Sequence, residues 1–398
     1  MKLEQILSCP ESSLLYMERM VNDGSPSKFS FTYTTSKETC PIYVEKFSLC
    51  CVKSDETDFV TFGKCNYDFF NDDLVLLHPD WKKEKTQFST IDTNIQVIPT
   101  SSSRTVKILD QDIYIKLSYP GVLGRITREL RTEHILSSID ITNAFFKLIE
   151  ANLVPNTFAF FPEYCGKLFK QENGDIGYVI RDGKPVGRQC KRIRALIPAF
   201  SLFSSDRQFS DVPLIIQILY HKKNKIDYLL EQLIYPIIDC YFSCVFNGGI
   251  QPEMHSQNFL IGIDTDLNVV SIVLRDLESA DKDLVIMNRL GFPFEMKSYP
   301  YKFIDEKQNN YLIKHSFMYD HKLGEYFFDE LLKCVQKYEV AQIDTMQSLI
   351  KAYVKKQYGF LLEYFFPENG KWYKFENILI DRTQNSRPYI SFSNPKYR

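Results

Sequence analysis

Two rhythms of apolar and polar residues run along the chain, changing over near residue 200. In the earlier part, short runs alternate at a period of two, the spacing of a half-buried strand. TVKIL (105–109) and IYIKLSY (113–119) flank the turn residues Asp110–Gln111 and predict a hairpin. YCGKLFKQENGDIGYVIRDGK (164–184) predicts a second hairpin with NGD at its tip. FSFTYTT (29–35), PIYVEKFSLCCV (41–52) and the apolar run in NDDLVLLHPDW (71–81) predict further strands, and residues 82–94 a polar loop. SLLYMERMVND (13–23) and ITNAFFKLIEAN (141–152) read as helices.

Beyond residue 200 the period lengthens to that of a helix. VPLIIQILYHKKN (212–224) and the long apolar stretch at 225–249 carry their apolar residues at helical spacing. Gly248 and Gly249 supply a stop for the second. FLIGIDTDLNVVSIVLRD (259–276) then reads as strand, Asp/Asn turn, strand, and 326–340 and 344–358 read as helices before an aromatic, strand-like tail. The fold class is α+β. Residues 1–70 form a small N-terminal region, 71–200 a sheet-rich region, and 201–398 a mostly helical region.

Composition narrows the class only modestly. The 398 residues are 44% hydrophobic and 25% charged, ordinary values for a globular protein. A net charge of -2 gives no general electrostatic case for nucleic acid or an anionic membrane. No apolar run reaches about 18 residues without a charge, and 233–250 is interrupted by Asp239, so no transmembrane helix is expected. Ten cysteines contain no CxxC pair, which speaks against a zinc ribbon and for reduced, buried thiols in the cytoplasm.

The candidate chemistry gathers around one hairpin. In GIQPEMHSQN (249–258) a carboxylate (Glu253), an imidazole (His255) and an amide (Asn258) precede the strand at 259. Arg275 and Asp276 end the returning strand, so all five polar groups meet at one edge. Alternation sends Arg275 and Asp276 to opposite faces unless the strand has ended. Carboxylates with an amide oxygen suit Mg²⁺, and His255 and Arg275 suit phosphate oxygens. Upstream, PTSSSRTV (99–106) offers hydroxyls and Arg104, and Lys116 lies on the next strand: a grip for a triphosphate. Arg125, Arg128 and Arg131 follow, with Arg131 read as surface charge. There is no Walker A loop and no G-x-S-x-G elbow.

Taken in order, HPDW, PTSSSRTV, YIKLSYPGVLGRITREL, YVIRDG with RALIPAFSLF, GIQPEMHSQN and IVLRD resemble the IucA/IucC-type siderophore synthetases, which are independent of nonribosomal peptide synthetases. The resemblance runs from about residue 71 to SNPKYR at the end. It implies a fingers-like ATP-binding sheet, a palm-like helical region and a reduced thumb-like N-terminal lobe. It implies an ATP-dependent ligase that adenylates a carboxylate, citrate or a derivative, and condenses it with an amine, hydroxylamine or alcohol. Ser102, Arg104 and Thr105 match the family's Ser-x-Arg-Thr element at the ATP phosphates, and Lys116 its phosphate lysine. Arg128 matches an arginine serving nucleotide and substrate carboxylate. His255 and Asn258 match the His-x-x-Asn at the nucleotide, with Arg275 beside it. Glu253 and Asp276 are the implied magnesium ligands, and Lys116, Arg128 and His255 the implied catalytic residues. A homodimer is the quaternary state the family implies.

Three departures qualify this picture. About seventy residues precede His78 where the family has a large lobe, Asp80 interrupts HPDW, and no glycine follows Arg275–Asp276. ATP binding is thereby better supported than citrate binding. Two alternatives stand beside the ligase. One is a shortened, non-catalytic partner subunit of a full-length synthetase. The other is a kinase-like phosphotransferase, although HRD, DFG and a glycine-rich loop before Lys116 are all missing.

Overall fold

The structure is a computed structural model. It describes residues 1–25, 36–53, 59–64, 67–71, 74–84, 88–123, 126–171, 174–209, 211–290, 303–304, 311–373, 389–392 and 395–398. FSFTYTT (29–35) and Arg125 lie outside the described residues.

Two short helices open the chain, α1 (Leu3–Ser8) and α2 (Pro10–Met20). Strands β1 (Phe47–Lys53), β2 (Phe59–Phe62), β3 (Leu74–Leu77), β4 (Thr90–Pro99), β5 (Thr105–Ile108) and β6 (Ile113–Leu117) follow. After a small hairpin, β7 (Tyr119–Leu123) with β8 (Ile126–Arg128), helix α3 (Thr132–Glu150) crosses to β9 (Phe158–Phe160), β10 (Glu163–Phe169) and β11 (Ile176–Asp182). Eight of these strands make one sheet in the order β2-β10-β11-β6-β5-β4-β1-β3. Every pairing in it is antiparallel. The 105–119 and 164–184 hairpins both form, and Thr105 stands opposite Lys116.

The expected loop at 82–94 is corrected in part, because β4 already begins at Thr90. Its first residues are polar except for an exposed Ile91, and they are at most half-buried, so burial gave them no apolar alternation. Backbone pairing with β1 makes the strand all the same.

A second sheet, in the order β12-β9-β16-β15-β13, uses β12 (Val186–Gly187), β13 (Ala195–Pro198), β15 (Phe259–Ile263) and β16 (Val269–Leu274). A short β14 (Ile250–Gln251) stands apart from it. Phe259 pairs with Leu274, so the expected hairpin brings Asn258 and Asp276 to one end. Strands from either side of residues 70 and 200 thus share sheets.

Two cores result. One fills a face of the eight-stranded sheet with Leu49, Val75, Val106, Ile115 and Ile180. The larger joins α2, α3 and the second sheet to the C-terminal helices, including Ile343–Phe365. Its centre is the helical stretch Lys225–Gly248, which by length and apolar composition alone suffices to cross a membrane. Most of that stretch is buried against the rest of the chain. Asp239 inside it accepts hydrogen bonds from the hydroxyls of Tyr353 (2.8 Å) and Tyr358 (2.6 Å). Gly249 ends the helix in a left-handed conformation (φ 65°), as the paired glycines predict. No disulfide joins any of the described cysteines, and all but Cys9 and Cys190 are buried.

Candidate active site

The site lies where the end of the 259–274 hairpin meets strands β5 and β6. Strand β16 stops at Leu274, and Asp276 takes a left-handed turn (φ 65°) that aims it at the larger sheet. Lys116 meets it there. The ammonium of this almost fully buried lysine donates to Asp276 Oδ1 and lies 2.8 Å from Glu278 Oε1. Glu278 also receives Arg104, whose Nη2 lies 3.5 Å away. Arg181 completes the group. Its guanidinium donates to Glu163 Oε1 at 2.7 and 2.9 Å and to Asp276 Oδ1 at 3.3 Å.

Charge decides the protonation of these carboxylates. Burial alone would raise Asp276, but Lys116, Arg181 and Arg104 override it and hold the carboxyl far below its usual range. Burial likewise opposes ionisation of Glu278, and Lys116, His134 and Arg104 bring it down to about 2. Both are carboxylates at neutral pH.

Five cations (Arg104, Lys116, Arg128, Arg181, Lys322) face four carboxylates (Glu163, Glu253, Asp276, Glu278), leaving one positive charge over. The cation left over is Arg128. Its Nε donates to Leu123 O at 3.3 Å, and it forms no ion pair with a described carboxylate. Its surroundings strip water from it, and Arg104 stands near, so its pKa falls to about 10. The backbone carbonyl of Arg128 accepts from Arg104 Nη1 at 3.2 Å, which fixes the two side by side. Asp276, Glu278 and Glu253 stand near enough to oppose that fall without pairing with the guanidinium, and a half-buried guanidinium with no direct ion pair is a place for an anion.

The Ser-rich loop is a closed turn. Ser102 Oγ accepts from the N–H of Thr105 (3.0 Å), Thr100 Oγ1 donates to Thr105 O (2.7 Å), and Ser103 is left-handed (φ 63°). Across the pocket, Asn258 Nδ2 reaches Ser279 Oγ at 3.4 Å. His255 Nδ1 accepts from the N–H of Gln257 at 3.2 Å, which leaves the proton on Nε2, 4.0 Å from Glu253. Burial pushes the His255 pKa down to about 4, so the ring is neutral at pH 7. Lys322 Nζ lies 2.6 Å from Glu253 Oε1. Glu253, Asn258, Arg275 and Asp276 line one pocket with Pro252 and Leu277.

Arg275 points elsewhere. Its guanidinium donates to Glu18 Oε1 (2.5 Å) and to Gln257 O (2.7 Å). Arg131 is on the surface with Glu129, as its reading as surface charge expects. The structure adds Glu18, Glu163, Arg181, Glu278 and Lys322 to the residues picked out from sequence. Glu163 and Arg181 stand opposite each other only because the register shifts between Glu163 and Cys165, which the NGD tip read from sequence did not signal. Glu278 had a weak signal, two residues past Asp276.

The donor set suits magnesium. Asp276 and Glu278 are hard oxygen donors within reach of one lysine, and Glu278 Oε2 is buried without a hydrogen-bond partner. Among the described residues no group of three His, Cys, Asp or Glu side chains stands ready for a metal. Phosphate oxygens would have to complete its shell, as is usual for Mg²⁺.

This geometry sits in a known framework. The aerobactin synthetase IucA from a hypervirulent pathotype of Klebsiella pneumoniae superposes with a TM-score of 0.68 at 14% identity, over 99% of this chain and 80% of that one. The petrobactin biosynthesis protein AsbB from Bacillus anthracis superposes with a TM-score of 0.74 at 13% identity, over 96% and 75%. The fold is that of the siderophore synthetases. IucA has also been solved with ATP bound, and that structure matches with a TM-score of 0.69 at 14% identity, over 96% and 78%. No protein-family model and no curated protein matches the chain by sequence.

Proposed function

We propose that this chain is a siderophore-type synthetase: an AMP-forming ligase that joins a citrate-like carboxylic acid to an amine, hydroxylamine or alcohol. The observation that carries the reading is Arg128, in no direct ion pair with a described carboxylate, beside Arg104 and Lys116, in a fold it shares with a protein solved with ATP bound. Fold alone does not fix chemistry. The excess positive charge, the closed Ser-rich turn and the paired carboxylates are what point to a polyphosphate.

In this reading Lys116 and Arg104 leave their carboxylates for the phosphates of ATP. Asp276 and Glu278, with Glu253 and Asn258 at the pocket wall, would hold Mg²⁺, which would supply charge neutralisation on the phosphates. Ser102 and Thr105 hold the loop that presents Arg104. Arg128 faces the charge that builds as the acid's carboxylate attacks the α-phosphate. Neutral His255 offers its Nε2–H as a hydrogen-bond donor. Arg275 acts through the backbone of Gln257, which it holds. The protein supplies no covalent nucleophile, and a cytoplasmic homodimer is the setting the reading implies.

The test is the nucleotide product. The protein is incubated with Mg-ATP, citrate and a panel of polyamines and hydroxylamines, and AMP is separated from ADP. AMP with pyrophosphate is expected. ADP would replace the ligase with a kinase-like transferase. ATP bound but unchanged, with turnover only when a full-length synthetase is added, would make this chain a partner subunit.

A further inference from the structure

We infer that Glu18, on the N-terminal helix α2, is a positioning residue for the nucleotide loop; this rests on the nucleotide reading above. Its side chain is almost completely buried. One oxygen, Oε2, accepts from Ser101 Oγ at 2.6 Å and from the Ser101 N–H at 3.3 Å. The other, Oε1, accepts from Arg275 Nη1 at 2.5 Å. Arg275 holds the carbonyl of Gln257 (2.7 Å), and Gln257 Nε2 returns to Ser101 Oγ (3.4 Å), closing a ring of four residues. Two of them flank the proposed site directly. Ser101 adjoins Ser102 in the closed turn before Arg104, and Gln257 lies between His255 and Asn258.

Helix geometry makes this more than one contact. Glu11 and Glu18 are seven apart, on one face of α2. Glu11 Oε1 lies 2.6 Å from Lys107 of β5, so the helix is pinned both to that strand and, through Glu18, to the turn that precedes it. The adjacent face of α2 buries Met17 in the larger core. A helix anchored in one core thus holds the loop and the Arg275 end of β16 in fixed relation. A carboxylate buried this deeply is retained at a cost that its partners must offset. Two cationic or polar partners, from segments 83 and 257 residues away, meet that need here.

The experiment titrates Mg-ATP into the full chain by calorimetry, with melting temperatures recorded in parallel. Glu18→Gln keeps the shape and loses the charge. Its ATP affinity is expected to fall about tenfold, the scale of one lost charged hydrogen bond. Ser101→Ala cuts the same link from the loop side and is expected to weaken ATP in the same direction. The double variant should be little worse than E18Q alone. Met17→Ala destabilises the same helix through the core and is expected to leave ATP affinity unchanged. In turnover, E18Q should raise KM for ATP more than it lowers kcat. If E18Q and S101A bind ATP as the parent does, or lose affinity only in step with a melting shift that M17A reproduces, the inference is overturned. If the parent chain binds no Mg-ATP, the nucleotide reading itself fails, and the inference with it. Should E18Q not fold, S101A against M17A decides.

Discussion

Two carboxylates in this protein meet arginine or lysine in opposite ways. Asp320, on the helical stretch Phe317–Phe328, is gripped by Arg398: Nε lies 2.9 Å from Oδ1 and Nη2 2.9 Å from Oδ2. Ser316 adds a third donor at 2.7 Å, and the guanidinium lies 4.7 Å over the Phe366 ring. Acid, base and hydroxyl all serve that one pair. Asp276 instead shares one oxygen between Lys116 and Arg181, keeps a partly exposed side chain, and has Arg128 nearby in no direct ion pair with a described carboxylate. The first arrangement satisfies the carboxylate within the fold. The second is over-supplied with positive charge, the mark of a place that a ligand completes.

The largest effect should separate these two directly. Lys116→Ala should cut AMP formation per folded molecule by about a thousandfold or more, the scale of losing a preorganised cation at developing charge. Asp320→Asn should leave turnover per folded molecule unchanged and cost about 3–5 kcal/mol of stability, because Arg398 is left buried without its partner. Urea denaturation beside the product assay gives both readouts. Wild-type turnover by K116A would remove Lys116 from the site.

Arg128 sharpens the contrast, because its two effects carry opposite signs. An unpaired, half-dehydrated cation costs folding energy that a bound anion would return. Arg128→Met should weaken ATP binding about a hundredfold, yet raise the stability of the ligand-free protein by about 1 kcal/mol. Calorimetry and melting curves without ligand check the two halves. A clear loss of stability in R128M would show that the arginine is structurally satisfied and would undo the anion argument.

How much of this was legible beforehand depends on sequence distance. The hairpins at 105–119, 164–184 and 259–276 follow from alternation and turn residues, and they carry Lys116, Asn258 and Asp276 to the right ends of their strands. The cross-strand pair Glu163–Arg181 departs from that register by one residue, and the shift between Glu163 and Cys165 has no mark in the alternation. Strand β4 was hidden because its mostly polar start is at most half-buried, where strand and loop have the same composition. Glu18 gave no signal at all. Its partners lie far along the chain, and an acidic residue on an amphipathic helix looks like solvent-facing charge until tertiary packing places it. Lys322 and Glu278 were missed for a similar reason: each is an ordinary charge until Glu253 or Lys116 stands opposite.

The smallest effect is a matter of slope, and it tests the two carboxylates against each other. Glu278, beside Asp276, falls from an ordinary 4.5 to about 2: burial opposes the shift, and Lys116, His134 and Arg104 outweigh it. A folded pKa below the unfolded one means stability that is present above about pH 4.5 and is lost as pH falls toward 2. Asp320 is shifted the other way, because burial outweighs Arg398 and Ser316. Its contribution is present below the unfolded value and is lost as pH rises through the folded one. Within its own window each group contributes a slope on the order of 1 kcal/mol per pH unit, with opposite sign. Glu278→Gln should therefore flatten the acid limb of the stability curve between pH 4.5 and 2. Asp320→Asn should steepen the rise of stability with pH just above the ordinary aspartate value, since it removes a group whose contribution is lost there. Urea midpoints measured from pH 2.5 upward read both slopes, whatever each variant does to the level at neutral pH. If both variants change the slope in the same sense, the division into a charge-held site and a burial-held structural pair fails.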